Sequence, residues 1–290
     1  MIRIAFLGSD STHTEAFGKR INGTDSPWKG TARVEAIHGT DRAQTERKAA
    51  ELGIARVANT VQEAIQGVDL AMVIGRFGES HFAPASEALA AGIPTFVDKP
   101  FTVNLAEAMK LADLARVKKV PLVSSSPLRF AHEVLVLKER MSVAKDWLSV
   151  VVTVPANCTD LGPDPRLRSV YFYGIHGIEV LLDLVGHAIK NVEVHRTQSV
   201  ITTHITLADG RTVVFQLVRD MAEAYAVDLH LRTGSERMAI ELDGSYYSDV
   251  LEFLLRGFRV GSDRVPLDST MAAIAILDTI ERADRREADR

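Results

Sequence analysis

The chain has 290 residues, 46% hydrophobic and 25% charged, with a formal net charge of -4, a balance that fits a globular chain of two domains and gives no electrostatic reason to expect a polynucleotide partner. Nowhere do about 18 apolar residues follow one another, which removes a membrane span from the reading. The single cysteine, Cys158, excludes an intrachain disulfide framework and a cysteine-based zinc site, and an N-terminus that enters an apolar run at Ile2 completes the expectation of a cytoplasmic protein.

In chain order, short β-rich runs at Ile2 to Leu7, Arg33 to His38, Asp69 to Ile74, Pro94 to Val97 and Pro121 to Ser124 alternate with helical patterns. The helices are read at Arg42 to Leu52, Ser80 to Ala91 and Leu105 to Arg116, with Gly53 and Gly92 in C-cap positions. That alternation predicts a doubly wound parallel sheet of the Rossmann type over residues 1–126. After Leu128 the pattern changes: strands are expected at Trp147 to Val154, Val192 to Arg196, Val200 to Leu207, Thr212 to Val218, Tyr225 to Leu231 and Met238 to Leu242. Asp209-Gly210 sits at hairpin spacing, and helices are read around Ile175 to Val185 and Ser269 to Ala283. Residues 127–290 are thus expected to form an α+β domain with an open, mostly antiparallel sheet, the two domains enclosing a cleft.

The first βα turn of a dinucleotide-binding fold needs glycines so that the backbone can approach a pyrophosphate at a helix N-terminus. Here it reads Gly8-Ser9-Asp10-Ser11-Thr12-His13, with Asp10 and His13 in the second and third glycine positions. Asp10 repels a pyrophosphate, whereas Ser9, Ser11, Thr12 and His13 offer hydrogen bonds to one. The alternative is that these residues merely cap the next helix. The acidic residue that normally meets the adenosine ribose is missing, since Gly39 holds its place. Thr40 and Arg42 are suited to a 2′-phosphate, so the pattern leans towards NADP over NAD.

The sharpest motif is Ala91-Gly92-Ile93-Pro94-Thr95-Phe96-Val97-Asp98-Lys99-Pro100. It resembles the A-G-x-x-V-x-x-E-K-P run of the Gfo/Idh/MocA oxidoreductase family, which includes glucose-fructose oxidoreductase and inositol dehydrogenase. His81 after the fourth strand, Arg129-Phe130 and Pro266-Leu267-Asp268 carry the resemblance across the chain. It implies hydride transfer between a nicotinamide and a carbinol carbon of a sugar, polyol or related small molecule. Lys99 matches the family lysine that hydrogen-bonds the reacting hydroxyl, with Asp98 retaining the motif carboxylate. His176, in Gly174-Ile175-His176-Gly177-Ile178-Glu179, matches the family's proton-transferring histidine in D-x-G-x-H-x-x-D. Phe172 replaces the first aspartate and Glu179 the second, so Glu179 becomes the candidate to orient His176 and Tyr173 a substitute donor. The bland alternative for His176 is a helix-start histidine satisfied by backbone.

Gly75 and Arg76 follow the fourth strand, where the family contacts the cofactor, and Arg76 is a candidate partner for Asp10. His176, Glu179 and Asp183 fall at i, i+3 and i+7, but no further ligand signals a metal, and none is expected. Ser124-Ser125-Ser126-Pro127 does not fit a G-x-S-x-G nucleophile elbow. The principal expectation is an NAD(P)-dependent dehydrogenase, a homo-oligomer by analogy with the family. The alternative is a family member that has lost redox catalysis and binds a ligand or regulates; a third reading keeps the cofactor for internally recycled chemistry.

Overall fold

In the computed structural model the described residues are 1–144, 146–156, 164–221, 225–260 and 267–288; the side chains at 259–260 and 284–288 are not described either. Cys158 and Pro266 lie outside the described residues.

The first strand, β1 (Ile2–Leu7), is almost continuously apolar because helices cover both faces of a parallel sheet. It leads through α1 (Thr12–Asn22), β2 (Ala32–His38), α2 (Arg42–Glu51), β3 (Arg56–Val57), α3 (Val61–Ile65), β4 (Leu70–Val73), α4 (Phe82–Ala90), β5 (Thr95–Val97), α5 (Leu105–Lys118) and β6 (Leu122–Ser124). These six strands are all parallel, in the order β3-β2-β1-β4-β5-β6. The order in which strands are added reverses between β1 and β4, the switch point where such sheets open a crevice at their carboxyl ends. Ile4, Phe6, Val34, Ile37 and Met72 fill the core of this unit, and Phe17 of α1 meets Phe96 of β5 edge to face at 6.2 Å.

The second part comprises α6 (His132–Val143), β7 (Trp147–Ala156), α7 (Val170–Val185), β8 (Ile189–Arg196), β9 (Val200–Leu207), β10 (Thr212–Arg219), β11 (Tyr225–Leu231) and β12 (Gly234–Ile240), then α8 (Tyr246–Val260) and α9 (Leu267–Ala288). Its sheet runs β12-β11-β7-β10-β9-β8; only β7 and β10 pair in parallel. The architecture is therefore the expected one, a Rossmann sheet followed by a mixed, mostly antiparallel sheet. Buried Val213, Phe215 and Leu217 alternate with less buried neighbours, the period of a strand with one face on a core. Gly210, at φ 88°, makes the β9–β10 hairpin at the expected place.

Contacts group Met1–Ser125 with Tyr247–Leu267 in one compact unit and Ser126–Tyr246 with Asp268–Arg290 in the other. Helix α8, which a division at 126/127 assigns to the second domain, thus packs with the parallel sheet. Its buried Val250, Leu251, Leu254 and Leu255 form one helical stripe, Tyr247 stacks edge-on to Phe17 at 5.7 Å, and Arg20 Nε donates to Ser248 Oγ at 3.1 Å. Among the boundaries that move, those of α7 and β12 have local reasons. Helix α7 starts at Val170 rather than Ile175 because Ser169 caps it, accepting from Tyr171 N. Strand β12 starts at Gly234 rather than Met238 because it returns immediately from β11, with Leu231 opposite Gly234. Among the described residues no helix is long and apolar enough to cross a membrane.

Candidate active site

At the carboxyl edge of the parallel sheet, Gly8 adopts φ 131°, and a Cβ there would lie 2.5 Å from the Gly75 nitrogen. Only glycine tolerates both the dihedral and the approach of the β4 end. Ser9 turns inward and shares a 2.9 Å hydrogen bond with Thr45 Oγ1, whose own proton goes to the Asp41 carbonyl. That pair explains the missing ribose acid: a Cβ on Gly39 would stand 2.1 Å from Ser9 Oγ and 2.6 Å from Thr45 Oγ1. Ser11 caps α1, its hydroxyl accepting from His13 N at 3.1 Å, while Thr12 is exposed in the first helical position. Asp10 Oδ1 accepts from the backbone amide of Arg76 at 3.2 Å, whereas the Arg76 guanidinium lies 5.7 Å from the Phe77 ring centre. The expected Asp10–Arg76 link therefore exists through the main chain.

His13, in the third glycine position, is buried with its Nδ1 2.5 Å from Asp98 Oδ2. Asp98 Oδ1 accepts the Lys99 backbone N–H at 2.8 Å, so one carboxylate ties the α1 start to the motif lysine. Burial alone pushes the Asp98 carboxyl up; the His13 ring, by charge and hydrogen bond, together with Lys99 and His81, outweighs burial and holds it below the usual carboxylate range. His81 is fully buried, its Nδ1 facing the Pro100 carbonyl at 2.8 Å and its Nε2 the Gly75 carbonyl at 2.9 Å. It thereby braces the loops after β4 and β5 against each other. Arg42 is engaged elsewhere on the surface, by Glu46 Oε1 at 2.6 Å and Asn59 Oδ1 at 2.8 Å.

Gly8, Ser9, Asp10, Gly39, Thr40 and Gly75 border a pocket of about 310 Å³, lined also by Ala83, Pro84 and Glu87 of α4. These residues fit the pyrophosphate-to-adenosine part of a dinucleotide. The Gly8–Gly75 approach brings the β1 and β4 ends into close backbone contact at the edge of this pocket.

In the other unit, His176 Nδ1 lies 2.6 Å from Ser126 Oγ, and Glu179 Oε2 accepts the Ser126 backbone N–H at 2.5 Å. Glu179 therefore reaches the imidazole through Ser126 instead of directly, because one helical turn carries the carboxylate past the ring. Glu179 is 1% exposed, and Arg129, 4% exposed, stands 3.9 Å from it and pairs with Asp183, which also takes Lys138 Nζ at 2.9 Å. Burial alone would lower the Arg129 pKa, but the charges of Glu179 and Asp183 and the hydrogen bond to Asp183 raise it. Asp183 is accordingly a structural ion-pair partner. Tyr225 of β11 lies 5.8 Å from His176, ring centre to ring centre. Burial, then Tyr173 and Tyr246, push the Tyr225 phenol up, which keeps its hydroxyl protonated. Phe172 and Tyr173 stack edge to face at 5.0 Å.

Ser126, Tyr225 and Glu87 were not among the sequence candidates. Ser126 lay inside the serine run, considered only as a nucleophile; Tyr225 and Glu87 belong to no motif, and only the fold brings them beside one.

Residues 2–125 match the model of an oxidoreductase family with an NAD-binding Rossmann fold. The first unit thus has the Rossmann architecture of that family model. That match to the Gfo/Idh/MocA model covers less than half of the chain. The chain is 25% identical over 194 residues to the uncharacterized oxidoreductase YhhX of Escherichia coli, covering 64% of this chain and 54% of that one. It is 29% identical over 143 residues to the dehydrogenase aclE of Aspergillus oryzae, covering 48% and 39%. The chain thus spans about half, or less, of the length of these curated relatives. The fold matches scyllo-inositol dehydrogenase from Lactobacillus casei, a structure with bound NAD(H) and scyllo-inositol, at a TM-score of 0.83 and 13% identity over 99% of this chain and 98% of that one.

Proposed function

We propose that this chain is an NAD-dependent dehydrogenase acting on a carbinol carbon of a sugar, polyol or related small molecule. The observation that carries the reading is the pocket at the β1/β4 switch point, lined by Gly8, Ser9, Gly39, Thr40 and Gly75, with the motif Asp98-Lys99 at the end of the neighbouring strand β5. Bound NAD supplies the hydride acceptor. Lys99 holds the reacting hydroxyl by hydrogen bond and stabilises developing charge on its oxygen, with Asp98 fixing its backbone. His176 takes the hydroxyl proton, its ring held by Ser126 and through it by Glu179. NAD is favoured over the NADP of the sequence reading because Arg42 is already held by Glu46 and Asn59.

A second reading, a ligand-binding member without redox chemistry, is favoured by one observation, the Asp10 carboxylate on the pocket wall. Calorimetric titration with NAD, NADH, NADP and NADPH, followed by a polyol and sugar screen read as NADH formation, separates the two. Turnover that falls at least a hundredfold in Lys99→Ala supports the dehydrogenase; nucleotide binding with no turnover on any substrate supports the second reading. Absence of binding by all four nucleotides sinks both the cofactor and the reaction.

A further inference from the structure

His13 holds the third position of the β1–α1 glycine pattern, where a dinucleotide-binding fold uses glycine or alanine for close packing of helix on strand. Here side chains join the two elements instead. His13 and Phe17 lie one turn apart on α1. Asp98 continues the β5 ladder, its N–H donating to the Val73 carbonyl at 2.8 Å, so it falls on the same side as Phe96 two residues earlier. Phe17 meets Phe96 edge to face at 6.2 Å, and one turn earlier His13 Nδ1 stands 2.5 Å from Asp98 Oδ2. The imidazole also packs edge to face against Phe17 at 5.7 Å and against Tyr247 of α8 at 5.1 Å. The Asp98 carboxylate is 1% exposed, and its other oxygen accepts the Lys99 N–H at 2.8 Å. Burial alone pushes this carboxyl towards its neutral form; the His13 ring is the strongest influence holding it ionised, ahead of Lys99 and His81. An ionised carboxylate only accepts, so His13 Nδ1 carries the proton and donates it.

We propose that His13 is a positioning residue for the motif lysine: its Nδ1–H holds the Asp98 carboxylate, and that carboxylate holds the Lys99 backbone where its ammonium reaches the reacting hydroxyl. This inference rests on the dehydrogenase reading given above. The bond to His13 fixes the orientation of Asp98 and so presents one defined acceptor to the Lys99 N–H. His81 fixes the other side of the same loop through the Pro100 carbonyl at 2.8 Å, so Lys99 sits between two braced residues. A glycine or alanine at position 13 has no side chain to reach Asp98. Burial would then push the carboxyl towards its neutral form, which accepts more weakly from the Lys99 N–H. The histidine that breaks the glycine pattern thus belongs to the arrangement around Lys99 and is not a contact to the dinucleotide.

The test uses the full chain and the substrate that gives NADH in the polyol and sugar screen, with kcat read at saturating NAD and Kd for NAD read by calorimetry. His13→Ala removes the ring and supplies a residue that the dinucleotide pattern accepts; His13→Asn keeps a nitrogen donor near the place of Nδ1. The expected result for His13→Ala is a kcat lower by about tenfold, the scale of one charge-assisted hydrogen bond, with Kd for NAD within about twofold of wild type. His13→Asn should recover most of that loss. Made in a Lys99→Ala chain, His13→Ala should cost nothing further, because a residue that acts through Lys99 has nothing left to position. If His13→Ala does not fold, His13→Leu, which keeps apolar contact with Phe17 and Tyr247, takes its place in the cycle. A folded variant with wild-type kcat overturns the proposal. So does a loss of equal size with and without Lys99, which marks a structural role, and so does a weakened Kd for NAD at unchanged kcat, which marks a cofactor contact. These three outcomes leave the dehydrogenase reading standing, whereas a wild-type chain that turns over nothing in the screen overturns both.

Discussion

At the β1–α1 turn, the side chains that replace glycine bond within the same unit, Asp10 to the Arg76 backbone amide and His13 to Asp98, while Ser9 between them turns inward to Thr45. At α7, by contrast, the departure from the motif is bridged: Glu179 lies one turn beyond His176 and reaches it through Ser126, against a background of buried ion pairs. The first region keeps a backbone shape and exchanges side-chain partners around it. The second keeps a side chain and rebuilds its support. A damaged motif therefore carries different information in the two places. Where backbone approach does the binding, a replaced glycine matters according to where its side chain points; where a side chain does the chemistry, what matters is who holds it.

The comparison breaks most readily at Arg129. Replacement by Met leaves Glu179 and Asp183 buried without that cation, and loss of one partner of a buried pair costs about 3–5 kcal/mol; urea unfolding should show it, and Lys138, half-exposed on Asp183 alone, should cost far less when replaced. An Arg129→Met chain as stable as wild type would remove the ion pairs from the account of α7.

Asp98→Asn comes next. Losing a charged hydrogen bond to His13 should cost about 2–3 kcal/mol near neutral pH. The Asp98 carboxyl lies below its ordinary range in the folded chain, so its contribution is complete above the unfolded value of about 3.9 and disappears as pH falls through the folded value. The stability difference between wild type and Asp98→Asn should therefore be flat from pH 7 to about pH 5 and narrow below about pH 4. A difference that grows on acidification contradicts the pairing.

Gly39→Ala sharpens the contrast at the turn, because its methyl group meets Ser9 Oγ and Thr45 Oγ1. A loss of about 1–3 kcal/mol is expected from overpacking, with most of it recovered when Ser9→Gly is added; additive losses in the double variant would show that Ser9 is not the obstacle.

The smallest effect on stability, about 1 kcal/mol, belongs to Ser126→Ala. Its main consequence should be functional: with the His176 support removed, the pH profile of turnover shifts, while NAD affinity measured by titration stays unchanged. A profile identical to wild type would take Ser126 out of the site.

Much of this was legible in the sequence, and the legible part has a common character. Strand and helix alternation through Ser124, the Asp209-Gly210 hairpin and the Asp98-Lys99-Pro100 motif rest on local periodicity, turn chemistry or contiguous residues. Helix α8 was not read from the sequence; Val250, Leu251, Leu254 and Leu255 do carry helical spacing, but periodicity does not say which sheet a helix covers, and this one groups with the first. The absent acid at Gly39 was visible as a loss; its cause, Ser9 pressed against Thr45, was not, since the two hydroxyls are 36 residues apart. Ser126 and Glu179 are separated by 53 residues and His13 and Asp98 by 85.

By itself, then, the chain's order of residues determined two architectures and the identity of its motif lysine and histidine, because helix and strand periods and short motifs are properties of neighbours. Only the tertiary structure decided which residues hold those groups and which helix wall faces the pocket. Hydrogen bonds and ion pairs act over about 3 to 4 Å, a distance that residues remote in sequence reach only after the sheets have formed.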